Sequence, residues 1–179
     1  MKMNNQGFTL IELMISLAVS GILMGVAIPA SLSAIHATRA SEAHTALLGS
    51  LMTASSKAAL HGARTTLCPS HDGQTCLTGF DWSMGWIGFI DQNASREREP
   101  NESIIFSQTA LQDTRLMSSS GRTRIVFQGN GGNAGSNATF TLCDQRGISK
   151  AKTLVVSNTG NLRNGVPNAT QISLACQFK

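Results

Sequence analysis

Met1-Lys2-Met3-Asn4-Asn5-Gln6-Gly7-Phe8-Thr9-Leu10-Ile11-Glu12-Leu13-Met14-Ile15-Ser16-Leu17 opens the chain, and the sequence stays largely apolar from there to Ala30. An apolar helix of that length crosses a hydrocarbon layer of ~30 Å. Thr9, Ser16 and Ser20 interrupt it, but hydroxyls can return hydrogen bonds to their own helix backbone. A secretory signal peptide fits poorly. The leader before the apolar run is very short, no small-x-small site closes the run cleanly, and helix-compatible sequence continues beyond it. A plain membrane anchor leaves Glu12 unexplained, because a carboxylate near the start of an apolar helix is costly unless a cation meets it. An α-amino group created by cleavage after Gly7 is such a cation.

The rest of the composition agrees with a chain of two characters. Of 179 residues, 41% are hydrophobic and 13% charged, against roughly 25% charged in an ordinary soluble domain. That length holds one modest domain and one further element and excludes a large multidomain enzyme. The net charge of +4 permits an acidic partner without specifying one.

From Ser31 to about His61 there is no proline, and Gly49 is the one interior breaker. Ile35, Thr38, Leu47, Leu48, Leu51, Met52, Ser55 and Ala59 recur at roughly helical spacing, and Gly62 is a stop signal. One helix from about Phe8 to His61 follows, ~80 Å long. Pro29 removes one of its hydrogen bonds and predicts a bend or local loosening. Gly21 and Gly25, four apart, suit close helix contact. Beyond Ala63 the chain reads as strands and turns. Candidate strands are 64–68, 86–91, 104–106, 122–128, 139–143, 153–157 and 171–177, with glycine-rich loops at 129–137 and 158–164. The expected fold is α+β: a long N-terminal helix packed on an antiparallel β-rich head. Its segments are a leader (1–7), a transmembrane assembly helix (8–30), an amphipathic continuation (31–62) and the head (63–179).

Cys68, Cys76, Cys143 and Cys176 allow three complete pairings. Cys68–Cys76 with Cys143–Cys176 is favoured; it closes one small loop, ties two late strands, and suits an oxidising compartment and a small head. A metal site is disfavoured, because Cys68 and Cys76 are too far apart for a zinc knuckle. The acidic stretch carrying Asp81, Asp91, Glu97, Glu99 and Glu102 lacks EF-hand spacing and reads as a solvated loop. The four histidines, His36, His44, His61 and His71, complete no HExxH arrangement, and no glycine-rich phosphate motif has its lysine. No catalytic residue and no cofactor are therefore expected.

Gly7-Phe8-Thr9-Leu10-Ile11-Glu12-Leu13 resembles the start of type IV prepilins, a class that includes type II secretion pseudopilins. The resemblance implies cleavage between Gly7 and Phe8 by a prepilin peptidase and N-methylation of Phe8. It also implies pairing of Glu12 with the Phe8 amine of a neighbouring subunit. Asp81-Trp82-Ser83-Met84-Gly85-Trp86-Ile87-Gly88-Phe89-Ile90-Asp91-Gln92-Asn93 is similar to the GspH/FimT family of pseudopilins and minor pilins. So is Lys152-Thr153-Leu154-Val155-Val156-Ser157-Asn158-Thr159-Gly160-Asn161-Leu162-Arg163. The paired cysteines and the Thr159-Gly160-x-x-Arg163 turn favour the FimT-like branch. Implied partners are the peptidase, other major and minor pilins met through the N-terminal helix, and the inner membrane. The head would be periplasmic first and then displayed on a pilus or pseudopilus.

FimT-like pilins are associated with DNA uptake, so double-stranded DNA is a further implied partner. Arg146, Lys150, Lys152 and Arg163 are its candidate contacts, provided their turns converge. Asn161 stands where the family pattern commonly has an arginine, and no aromatic adjoins Arg163, which leaves stacking unsupported. The alternatives to a minor pilin are a GspH-type pseudopilin of a secretion system and a membrane-anchored sensor or hydrolase.

Overall fold

The computed structural model describes residues 8–133 and 135–178. Helix α1 runs from Leu10 to His61 without a break at Pro29, followed by strands β1 (Arg64–Pro69), β2 (Trp86–Asp91), β3 (Ile104–Gln108) and β4 (Thr114–Ser118). Strands β5 (Ile125–Phe127), β6 (Ala138–Asp144), β7 (Lys152–Val156) and β8 (Leu162–Gly165) then lead to a closing helix α2 (Ala169–Ala175). The expected α+β architecture, one long helix and an antiparallel head, is the architecture of the chain. It divides into two compact units after Ile35.

In the first unit every described residue is exposed, including Leu10, Leu17, Ile22 and Val26. The second unit begins at His36. There α1 buries Ala40, Ala43, Leu47, Leu51, Ala54 and Ala58, spaced three or four apart along one face. Of the stripe anticipated from sequence, Leu47 and Leu51 stand, while Ile35 and Met52 are exposed at 46% and 57%. The seam is built largely of alanines instead. Alanine adds little apolar area, but it lets strands approach the helix axis closely. Leu47 and Leu51 supply the larger burial, about 1.5–3 kcal/mol each. Gly62, at φ 62°, ends the helix in the left-handed conformation that costs glycine nothing.

Two four-stranded antiparallel sheets complete the head, in the orders β3-β2-β1-β5 and β4-β6-β7-β8. Leu67, Trp86, Ile125 and Phe127 of the first join Leu116, Phe140, Leu142, Leu154 and Val156 of the second and the alanine seam in one core. Gly88 is fixed by close approach: a Cβ there would lie 2.3 Å from the ring of Phe106 on β3. The ring covers the glycine and fills the space a side chain would take.

Three sequence expectations fail. Segment 171–177, read as a strand, lies mostly in α2, with Asn168 as N-cap and Gln171 closing a reciprocal capping box. Strand β4 was missed because it is short and carries Arg115 between Thr114 and Leu116. Strand β8 was missed because Leu162-Arg163-Asn164-Gly165 has turn composition; it forms by pairing with β7, Val155 opposite Arg163.

The disulfides are Cys68–Cys76 and Cys143–Cys176. The second joins β6 to the C-cap of α2 rather than to another strand. By loop-closure entropy the two contribute about 2–3 and about 3–4 kcal/mol.

Candidate functional site

Helix α1 starts with its own cap. Thr9 donates to Glu12 Oε2 twice, from its backbone N–H at 3.0 Å and from its hydroxyl at 2.9 Å. The Glu12 N–H donates back to Thr9 Oγ1 at 3.4 Å. This is a reciprocal Thr-x-x-Glu box, with the carboxylate at the helix N-terminus, where the helix dipole favours negative charge. Sequence reading assigned Thr9 only a hydroxyl that bonds back to the helix; its role as the cap lay in its spacing to Glu12. Phe8, next to the cap, is 82% exposed. Further along, Ser16 Oγ donates to the Glu12 carbonyl and Ser31 Oγ to the Ala27 carbonyl, both at 2.8 Å, so these hydroxyls are spent on the helix backbone. Gly7, and with it the expected cleavage point, lies outside the described residues.

The acidic stretch is not the solvated loop its sequence suggests, because two of its carboxylates are buried. Asp91 is 1% exposed; its Oδ2 accepts the Thr66 hydroxyl at 2.9 Å and the Arg96 N–H at 3.2 Å. Glu102 is 2% exposed and accepts the N–H groups of Gln92 and Glu99, each at 3.0 Å. Arg124 fastens the same region, donating to the carbonyls of Arg96 and Leu77 and to Glu97 at 2.6 Å. These acids fold a loop. Among the described residues no group of three or more His, Cys, Asp or Glu is placed to hold a metal.

The four basic candidates do not all share one face. Arg146 is committed to the buried carboxylate of Asp144, with Nη2 at 2.7 Å from Oδ2 and Nε at 3.0 Å from Oδ1. Lys150 sits on a single 3₁₀ turn (Ile148–Lys150), and Lys152 begins β7. Arg163 pairs across from Val155, whereas Lys152 shares the opposite face with Leu154 and Val156, which join the core. The pleat alternates side chains, so Arg163 and Lys152 project from opposite faces. Total charge never contained that information; register decides it.

Burial pushes the Asp144 carboxyl up, but the Arg146 hydrogen bonds and charge, with a smaller contribution from His36, outweigh burial and hold it below its usual value. The hydroxyl and N–H of Thr75, with the N–H of Gln74, hold Asp72 well below the carboxylate range. A carboxyl depressed in the folded state stabilises it above the unfolded value of ~4, and that stability is lost as pH falls through the folded pKa. The urea midpoint of the intact chain is therefore expected to fall with pH below ~4. Asp144→Asn should flatten that fall while lowering the midpoint at pH 7. An unchanged acid slope in the variant would refute the assignment.

The family model described as Type II transport protein GspH matches residues 43–160, and the prokaryotic N-terminal methylation motif matches residues 2–28. The type IV minor pilin FimU of Pseudomonas aeruginosa superposes with a TM-score of 0.54 at 16% identity, covering 82% of this chain and 98% of that one. The minor pseudopilin EpsH of the Vibrio cholerae Type 2 Secretion System gives 0.51 at 13% identity, covering 72% and 98%. At these identities the likeness is one of fold.

Proposed function

This chain belongs to the GspH family, within the type IV pilin and pseudopilin superfamily, and from that premise we propose that it is a minor subunit of a type IV pilus. It is a structural protein with a prepilin-type N-terminus. In our reading, cleavage between Gly7 and Phe8 frees an amine that is then methylated, and Glu12 meets that amine on a neighbouring subunit. The observation that carries the reading is the first unit of α1. Its large apolar side chains, among them Leu10, Leu17, Ile22 and Val26, are exposed among the described residues, which suits a cover of lipid first and of other pilin helices afterwards. The FimT-like assignment rests on the cysteine pairing and the Thr159–Arg163 turn.

The second reading is a pseudopilin of a type II secretion system, favoured by the description of the matching family model. Double-stranded DNA is the weaker partner, because the sheet register divides Lys152 from Arg163 and Asp144 neutralises Arg146. Deletion of the gene, with piliation, secretion and transformation measured together, separates these roles. Loss of most surface pili with normal secretion is the expected result; normal piliation with lost secretion would transfer the assignment to the secretion pseudopilus. Removing charge at Lys150, Lys152 and Arg163 together should leave transformation within about twofold, and a tenfold loss would restore DNA as a ligand.

A further inference from the structure

We propose that the end of the second sheet beside His36 is a membrane-surface face, which seats on anionic phospholipid headgroups while the subunit is still anchored. The proposal rests on the reading of α1 as a membrane anchor.

Register gathers this face. Thr114 pairs with Asp144, Lys152 follows on the neighbouring strand, and Thr153 pairs with Gly165, so β4, β6, β7 and β8 finish at one end of the sheet. That end lies along the start of the second unit's helix. Asp144 feels the charge of His36, Arg39 pairs with Asp113, and His44 Nε2 is 3.2 Å from Asn164 Oδ1. Two apolar side chains stand out from it: Ile148 at 64% exposure and Val166 at 92%. Val166 is the most exposed large apolar side chain among the described residues.

The net charge of this face is positive. Arg39 and Arg146 are neutralised by Asp113 and Asp144. Lys150 and Lys152 are exposed and, among the described residues, make no ion pair. The nearby acid on α1, Glu42, lines a cleft with Arg39, Gln108 and Leu111 and so stands at the border of this face. Two lysines beside two isolated apolar tips are the pattern of an interfacial contact: the tips enter the headgroup layer and the ammonium groups reach phosphate. A protein partner would instead call for a contiguous apolar patch.

Chain length puts the face within reach. The apolar run ends at Ala30 and His36 follows six residues later, a contour of at most ~21 Å however that segment runs. A head tied that closely to a bilayer meets its surface at high effective concentration, so two lysines and two apolar tips suffice. Each lysine near an anionic surface adds on the order of a fivefold preference.

The test uses the full chain in nanodiscs of phosphatidylcholine alone or with about 30% phosphatidylglycerol, and amide exchange read over 147–152 and 164–167. Exchange there is expected to slow about fivefold or more with the anionic lipid. Lys150→Glu with Lys152→Glu should abolish the difference, and Ile148→Ser with Val166→Ser should reduce it. Equal exchange in the two bilayers, or a slowing that survives the double charge reversal, overturns the proposal. So does a slowing that follows protein density rather than lipid charge, which would mark a second copy of the chain as the occupant. Resistance to alkaline carbonate extraction separates the two levels. A chain that carbonate releases refutes the anchor and this face together, whereas a resistant chain with lipid-independent exchange refutes only the face.

Discussion

Trp86→Ala is expected to cost the head about 3–5 kcal/mol, most of the net stability of a domain of this size. Trp86 is fully buried and opens β2, paired with Pro69 on β1 and Gln108 on β3. Its indole N–H donates to Ser50 Oγ on α1 at 3.0 Å, so the same ring ties helix to sheet. Its centroid is 6.5 Å from Trp82, which meets Phe140 of the other sheet edge-on at 5.1 Å. Removal leaves a cavity where α1 and both sheets meet, and strands the Ser50 hydroxyl. Trp86→Phe keeps most of the volume and loses the hydrogen bond, a change of about 1 kcal/mol beyond packing. Urea unfolding of the intact chain in detergent, followed by Trp82 fluorescence, measures both. A midpoint shift in the alanine variant no larger than in the phenylalanine variant would refute this account of the core.

Glu12→Gln separates two roles that Glu12→Ala confounds. The carboxylate closes the cap with Thr9, and in the proposed filament it also meets a cationic amine. Glutamine keeps an acceptor for the Thr9 N–H but carries no charge. If charge pairing drives incorporation, both variants should be processed normally and enter filaments at least tenfold less than the parent. Quantifying the subunit in sheared filaments against its cleaved membrane pool gives the answer. Wild-type incorporation of Glu12→Gln would reduce the carboxylate to a helix cap.

The long helix was legible because its signals are local: an apolar run, few breakers beyond Pro29 and Gly49, and Gly62 at the stop. The face it buries was less so. Hydropathy gives little weight to alanine, and Ala40, Ala43, Ala54 and Ala58 make the seam where larger residues were anticipated. In the head, strands with strong β composition such as Trp86-Ile87-Gly88-Phe89-Ile90-Asp91 were readable. Leu162–Gly165 was not, since it is a strand only by virtue of the neighbour it pairs with. Asn168 to Gln171 carried a capping signature in plain view, but it was outweighed by the apolar residues that follow. Buried Asp91 and Glu102 mark the same boundary. An acid among acids reads as solvated until tertiary structure supplies the N–H groups that enclose it. Which of the basic residues share a face was unreadable for a related reason, since the face a strand residue occupies depends on register.

The Cys143–Cys176 bond has a mechanical consequence. It encloses β7, β8 and α2 in one covalent ring, and β6, which carries Cys143, is clamped between β4 and β7. A tensile load applied beyond Cys176 passes through the bond to Cys143 on β6, so residues 144–175 are not drawn out with it. The slack inside the ring is released only by reduction.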